Sequence, residues 1–133
     1  MRSEQCIIGI MENPLRTKSY AFALRVVKLY KYLIEAREFV LSKQTLRSGT
    51  SVGANIVERN RGQSKSDFVH KLSIALKEAD ETEYWLNLLR DGGFISSAQA
   101  KSLLEDCLEL QKMLTSSLNT AKKNLANATE SVG

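Results

Sequence analysis

From Leu15 to Gln44 the chain carries neither Gly nor Pro, and Phe22, Val26, Leu29, Leu33, Ala36 and Val40 recur at alternating steps of four and three. That spacing returns to one side of a 3.6-residue helix, so it predicts a first helix running to about Gln44 with one buried stripe. Ala23, Val27, Tyr30, Ile34 and Leu41 form a second line about 100° round the same helix. The apolar arc then covers roughly half the circumference, wide for a helix with a single neighbour. Next comes a segment unlike the others. Ser48, Gly49, Ser51, Gly53 and Ala54 crowd beside Leu46, Val52 and Ile56. Two glycines cost a helix about 1 kcal/mol each against Ala, which close packing of backbones can offset. This predicts a short second helix from about Thr45 to Arg61, packed tightly, with Gly53 as a contact position.

Gly62 stops that helix, and Ser64 followed by Asp67 reads as a capping box for a third. Phe68, Leu72, Ala75, Ala79, Thr82, Leu86 and Leu89 then alternate in steps of four and three until Gly92 and Gly93 supply a stop. Ile74, Glu81, Trp85 and Leu88 lie off this stripe, and a partly apolar outer face of that kind asks for a neighbouring subunit. A second capping box, Ser96 to Gln99, opens a fourth helix whose stripe is Leu103, Cys107, Leu110, Leu114, Leu118, Ala121 and Leu125. Four helices joined by short turns, with no strand alternation, predict an all-α antiparallel four-helix bundle with up-down-up-down order. The domain reading is an N-terminal arm over 1–14, the bundle over 15–124 and a frayed tail over 125–133.

Composition adds limits. In 133 residues, 43% are hydrophobic and 26% charged, which suits one folded domain and no disordered chain. Cys6 and Cys107 are too few and too far apart for a disulfide scaffold or a Cys-based zinc site, and no apolar run near the start is long enough for a signal or a span. The expectation is a cytoplasmic protein. The net charge of +4 hides an asymmetry: residues 1–65 carry twelve Lys/Arg against five Asp/Glu, and residues 66–133 carry seven against ten. Opposite halves either attract each other or leave a surface for a polyanion.

Candidate chemistry is sparse. A di-iron bundle needs histidines in Glu-x-x-His pairs, and His70 stands alone. Glu78 with Glu81 and Asp106 with Glu109 have the spacing of helical magnesium-binding pairs, but Glu78, Glu81 and Asp106 fall off the core stripes. There is no Gly-rich phosphate loop and no nucleophile with a base at a familiar spacing. The expectation is no catalytic residue, no metal and no cofactor, and therefore no enzyme. The basic positions are better organised: Arg25, Lys28 and Tyr32 on the first helix, with Lys43, Arg47, Arg59, Arg61 and Lys65 around the second, form a candidate nucleic-acid-binding set. Cations would track phosphates and an exposed tyrosine would stack on an unpaired base. The same cations could equally pair with carboxylates or close a helix C-terminus.

Three stretches taken together, FALRVVKLYKYL at 22–33, FVLSKQTLRSGTSVGANIVE at 39–58 and GQSKSDFVHKLSIALKEADETEYWLNLL at 62–89, carry a resemblance. The chain resembles the bacterial four helix bundle family of 23S rRNA intervening-sequence proteins, whose members are encoded within inserts in large-subunit ribosomal RNA genes. The likeness spans about residues 12–122. It implies a left-handed antiparallel bundle that assembles as a ring-like homopentamer, distantly related to accessory proteins of diversity-generating retroelements. Those relatives bind nucleic acid and a reverse transcriptase through a basic outer surface. For this chain the resemblance implies an oligomeric nucleic-acid-binding accessory protein, RNA favoured over DNA, with Ile74, Glu81, Trp85 and Leu88 at the subunit interface. The alternative is a structural or protein-interaction oligomer whose charged faces serve subunit pairing. One departure stands out: Arg59-Asn60-Arg61 follows Glu58 where relatives commonly have a small residue.

Overall fold

The computed structural model describes residues 13–59 and 64–132. It holds four helices: α1 (Pro14–Glu35), α2 (Leu41–Arg59), α3 (Lys65–Asp91) and α4 (Ser97–Val132). Each helix begins where the sequence supplies acceptors for its free amides. Asn13 Oδ1 accepts from the Arg16 amide at 3.1 Å ahead of Pro14, whose missing N–H costs nothing in the first turn. Ser64 Oγ accepts from the Asp67 amide at 3.1 Å. Ser96 and Gln99 form the full reciprocal box: Ser96 Oγ accepts from the Gln99 amide at 3.1 Å, and the Ser96 amide donates to Gln99 Oε1 at 2.8 Å.

The boundary between α1 and α2 differs from the prediction. The apolar spacing runs through to Leu41, yet α1 ends at Glu35 and α2 begins at Leu41 rather than near Thr45. Arg37 sits at φ +66°, and the amides of Arg37 and Glu38 donate back to the carbonyls of Ile34 (3.0 Å) and Leu33 (2.9 Å), which closes α1 as a Schellman motif. The Glu38 carboxylate then accepts from the amides of Val40 (3.2 Å), Leu41 (3.0 Å) and Ser42 (2.5 Å), while Ser42 Oγ donates to the Glu38 carbonyl at 2.7 Å. One buried acid therefore starts α2. Ala36 and Val40, expected on the core stripe, are exposed as a result. At its other end the chain also departs from expectation: α4 continues to Val132, and no Gly or Pro interrupts it after Gly93.

Consecutive helices pack side by side, and α4 closes back on α1, so that α1–α3 and α2–α4 are the diagonal pairs of the bundle. Cross-helix contacts run antiparallel: Val26 of α1 lies by Gly49 and Ser19 by Gly53, Ser48 of α2 meets Thr82 while Glu58 meets Lys71, and Lys18 and Arg25 reach Glu109 and Asp106. The core is the predicted stripes: Phe22, Val26, Leu29 and Leu33; Val52 and Ile56; Leu72, Ala75, Ala79, Leu86 and Leu89; Leu103, Cys107, Leu110, Leu114 and Leu118. Each large aliphatic or aromatic chain so placed contributes about 1.5–3 kcal/mol.

α2 is the exception in chemistry. Its inward side is Ser42, Thr45, Ser48, Gly49, Val52 and Ile56, largely hydroxyls and glycine. The hydroxyls can lie buried because each finds a partner: Thr45 Oγ1 donates to the Leu41 carbonyl at 2.7 Å, and Thr82 donates to the Glu78 carbonyl at 2.7 Å while sharing a 2.9 Å hydroxyl bond with Ser48 across α2 and α3. Of the two glycines, Gly49 rather than Gly53 marks the closest approach. A Cβ at Gly49 would stand 2.8 and 2.9 Å from the two Val26 methyls, whereas at Gly53 the nearest atom, Ser19 Oγ, would be 3.4 Å away.

Candidate functional site

The bundle divides the basic positions into two groups. Arg25 faces α4: its guanidinium donates to Asp106 Oδ2 at 2.6 Å and to Ser102 Oγ and the Ser102 carbonyl at 2.8 and 3.2 Å. Lys18, two turns earlier on the same flank, stands 3.1 Å from Glu109. Arg47 faces α3, where it bonds Glu81 and lies 3.3 Å from Glu78. The indole N–H of Trp85 donates to the same Glu81 oxygen at 2.9 Å. The Trp85 N–H and then Arg47 hold the Glu81 carboxyl below its ordinary pKa, and Glu81 chiefly raises that of Arg47. The two carboxylate pairs considered for magnesium thus receive cations of the chain itself. Among the described residues no three His, Cys, Asp or Glu side chains converge as a metal site would require.

The second group keeps its charge exposed. Lys28, Lys43 and Lys65 reach solvent and have no carboxylate within 4 Å among the described residues; Tyr32, one turn beyond Lys28, is exposed as well. Lys28, Tyr32 and Lys43 lie toward the end of the bundle where α1 passes into α2, and Lys65 starts α3 at the opposite end. Among the described residues the six basic and aromatic candidates therefore do not form one continuous ridge. Arg61 lies outside the described residues, as does the side chain of Arg59.

The four positions read as a subunit face sit on α3 as follows. Ile74, Glu81 and Trp85 are half-buried toward α2, and Leu88 is exposed. Tyr84 packs edge-on against Trp85 with ring centroids 5.1 Å apart. Spacing had not singled out Tyr84, nor Tyr20, Leu24 and Leu108, all of which are exposed. The available signal was the four-residue step of Tyr20 to Leu24 and of Tyr84 to Leu88, each on the outer side of a helix whose inner stripe was already complete.

Cys107 is a core residue. Its thiol donates to the Ala79 carbonyl at 3.3 Å, and burial, with smaller contributions from Glu83, Asp80 and Asp106, pushes its pKa up to about 12. A thiol so placed is no nucleophile at neutral pH.

With this geometry in hand, comparison with known proteins is decisive for the family. A model of the family described as 23S rRNA-intervening sequence protein matches residues 12–116. The chain belongs to that family. A crystal structure of a protein of unknown function from the S23 ribosomal protein family of Bacteroides thetaiotaomicron is similar to it, with 53% sequence identity and a TM-score of 0.77. The match covers 78% of this chain and 97% of that one. No curated protein matches. For this intervening-sequence family chain the four-helix architecture is thus reached twice, from its own helical stripes and from a relative of known structure. Among the described residues no helix is long and apolar enough to cross a membrane.

Proposed function

We propose that this intervening-sequence family protein is a non-enzymatic, cytoplasmic homo-oligomer, a pentamer as the family resemblance implies, that binds nucleic acid through phosphate contacts. The observation that supports this reading is the exposed pair Lys28 and Tyr32, one turn apart on α1 and without a carboxylate partner, with Lys43 exposed nearby in chain order at the head of α2. A lysine supplies charge to the phosphate backbone and a tyrosine supplies a face for an unpaired base, a combination suited to single strands. RNA is favoured because the family is described by a ribosomal RNA insert. In this reading Arg25 and Arg47 fasten helices and do not meet ligand.

The test is fluorescence anisotropy with labelled single-stranded and duplex RNA and DNA over a range of salt. Each phosphate contact should contribute roughly 0.7–0.9 to the slope of log K against log salt, so Lys28→Gln with Lys43→Gln should flatten it by somewhat less than about 2. The loss should be alike across sequences, since phosphate contacts carry no base code. The ion pairs of Arg25 and Arg47 favour a second reading, an oligomer without a nucleic-acid ligand. No binding at about 50 mM salt, or an unchanged slope, decides for that second reading.

A further inference from the structure

Three aromatic side chains from separate segments stand in water at one end of the bundle. Because successive helices alternate in direction, the α1–α2 turn and the α3–α4 turn lie at that same end. The first turn exposes Phe39 by 59% and the second exposes Phe94 by 39%, while Tyr32, half exposed, lies in the last turn of α1. Phe39 is not on a loose loop. Arg37 and Glu38 before it close α1, and the Glu38 carboxylate holds the amides of Val40, Leu41 and Ser42 after it. A ring presented on a backbone tied at both sides loses little freedom when a ligand covers it. Phe94 is tied as well: its amide donates to the Leu89 carbonyl at 2.9 Å, and its ring lies 3.4 Å from where a Cβ on Gly92 would stand.

The charges around these rings are cationic. Lys28, Arg37 and Lys43 are exposed and have no carboxylate within 4 Å among the described residues. Of the acids in and beside the two turns, Glu38 faces its amides and Asp91 is held by Arg90 at 2.9 Å, which leaves Glu35 as the exposed exception. Rings and unpaired cations together complement a chain of phosphates with free bases, since every base has a face to stack and every linkage a charge. A duplex keeps its bases stacked on one another and would meet the cations alone. A bilayer would meet the end of the bundle, but Lys28 lies seven residues, about 10 Å, back along α1 from Glu35, so the cations run over the edge and down the side, a course that a flexible strand follows.

We propose that this end of the bundle holds a single-stranded nucleic acid, with bases stacked on Phe39, Phe94 and Tyr32 and phosphates on Lys28, Arg37 and Lys43. This rests on the nucleic-acid reading and deepens it: the rings commit the site to unpaired bases, and the cations alone would not.

The test is fluorescence anisotropy with a labelled oligouridylate and a labelled RNA duplex of equal length, on the parent, Phe39→Ala, Phe39→Leu and Phe94→Ala, with circular dichroism to check helicity. Each Ala variant should bind the single strand about 5- to 150-fold more weakly, the span of one base stack, with salt slope and duplex affinity unchanged because a ring releases no counterion. Phe39→Leu keeps an apolar side chain without an aromatic face and should lose as much as Phe39→Ala. Should Phe94→Ala lose helicity, the more exposed Phe39 carries the test. A Phe39→Ala protein that binds the single strand as the parent does, or that loses single strand and duplex alike, overturns the stacking site; so does a Phe39→Leu protein that binds like the parent. In each case the phosphate reading still stands or falls on the slope of Lys28→Gln with Lys43→Gln. A parent that binds neither oligonucleotide overturns both, and its sedimentation with phosphatidylserine vesicles would then assign the end of the bundle to a membrane surface.

Discussion

Gly49 of α2 lies so close to Val26 of α1 that a Cβ on Gly49 would come within 2.9 Å of both Val26 methyls. Valine is stiff at χ1 and cannot swing a methyl aside without taking its second methyl into another neighbour. Gly49→Ala should therefore lower stability by about 1–3 kcal/mol, the usual range for overpacking, and Val26→Ala in the same chain should return part of it. Gly53→Ala meets only ordinary contact distances, so helix propensity decides its sign, and a gain of up to about 1 kcal/mol is expected. Urea melts of the four proteins check both statements.

Arg37 occupies the left-handed position that closes α1, and its φ of +66° is one that glycine adopts freely. Gly93 closes α3 in the same way, at φ +86°. Arg37→Gly should accordingly raise the melting temperature, by an amount corresponding to roughly 0.5–1 kcal/mol. A lower melting temperature would mean that Arg37 contributes more through its side chain than its backbone strain costs.

Glu38 is buried with three amides directed at its carboxylate. Burial raises its pKa, and the amides of Leu41, Ser42 and Val40 outweigh that, so the group titrates below an ordinary glutamate. A carboxyl whose folded pKa is depressed stabilises fully above its unfolded pKa, near 4.3, and loses that contribution as pH falls through the lower folded value. Glu38→Gln should thus be less stable than the parent at pH 7, by about 0.5–2 kcal/mol, the range measured for helix caps. The difference should shrink in acid, which denaturant melts at pH 7 and near pH 3 would reveal.

Cys107 should resist alkylation at pH 8 until the bundle unfolds, because its thiol is fully buried and titrates at about 12. With a folded pKa above the unfolded value near 8.5, its contribution to stability is complete below that pH and declines as pH rises toward 12. In a Cys6→Ser background, mass spectrometry after iodoacetamide treatment should find the native protein unmodified and the urea-unfolded protein modified once.

The four helices, three of their four buried stripes and both serine caps were legible in the sequence because heptad spacing and capping are local: they depend on residues three or four apart. The stop of α1 was not legible, although every residue involved lies within ten positions. Apolar spacing continues past Glu35 through Val40, and nothing in it reveals that the Glu38 carboxylate would turn onto the amides of the next helix. The inward face of α2 escaped the apolar pattern for a related reason, since Ser42, Thr45 and Ser48 are buried by virtue of hydroxyl partners on the backbone and on Thr82.

The charges show where local reading ends. An excess of cations in the first half and of acids in the second was countable from the sequence, but not which of them meet. Arg25 and Asp106 are 81 positions apart, Lys18 and Glu109 are 91, and Arg47 reaches Glu78 across 31. The sequence by itself determined that this is a chain of amphipathic helices with a surplus of positive charge, because periodicity and charge count survive without any fold. Only the tertiary structure decided which cations are neutralised and which stand free, which glycine is a contact, and which apolar side chains are left in water. Those are properties of neighbours in space, and packing the helices side by side chooses the neighbours.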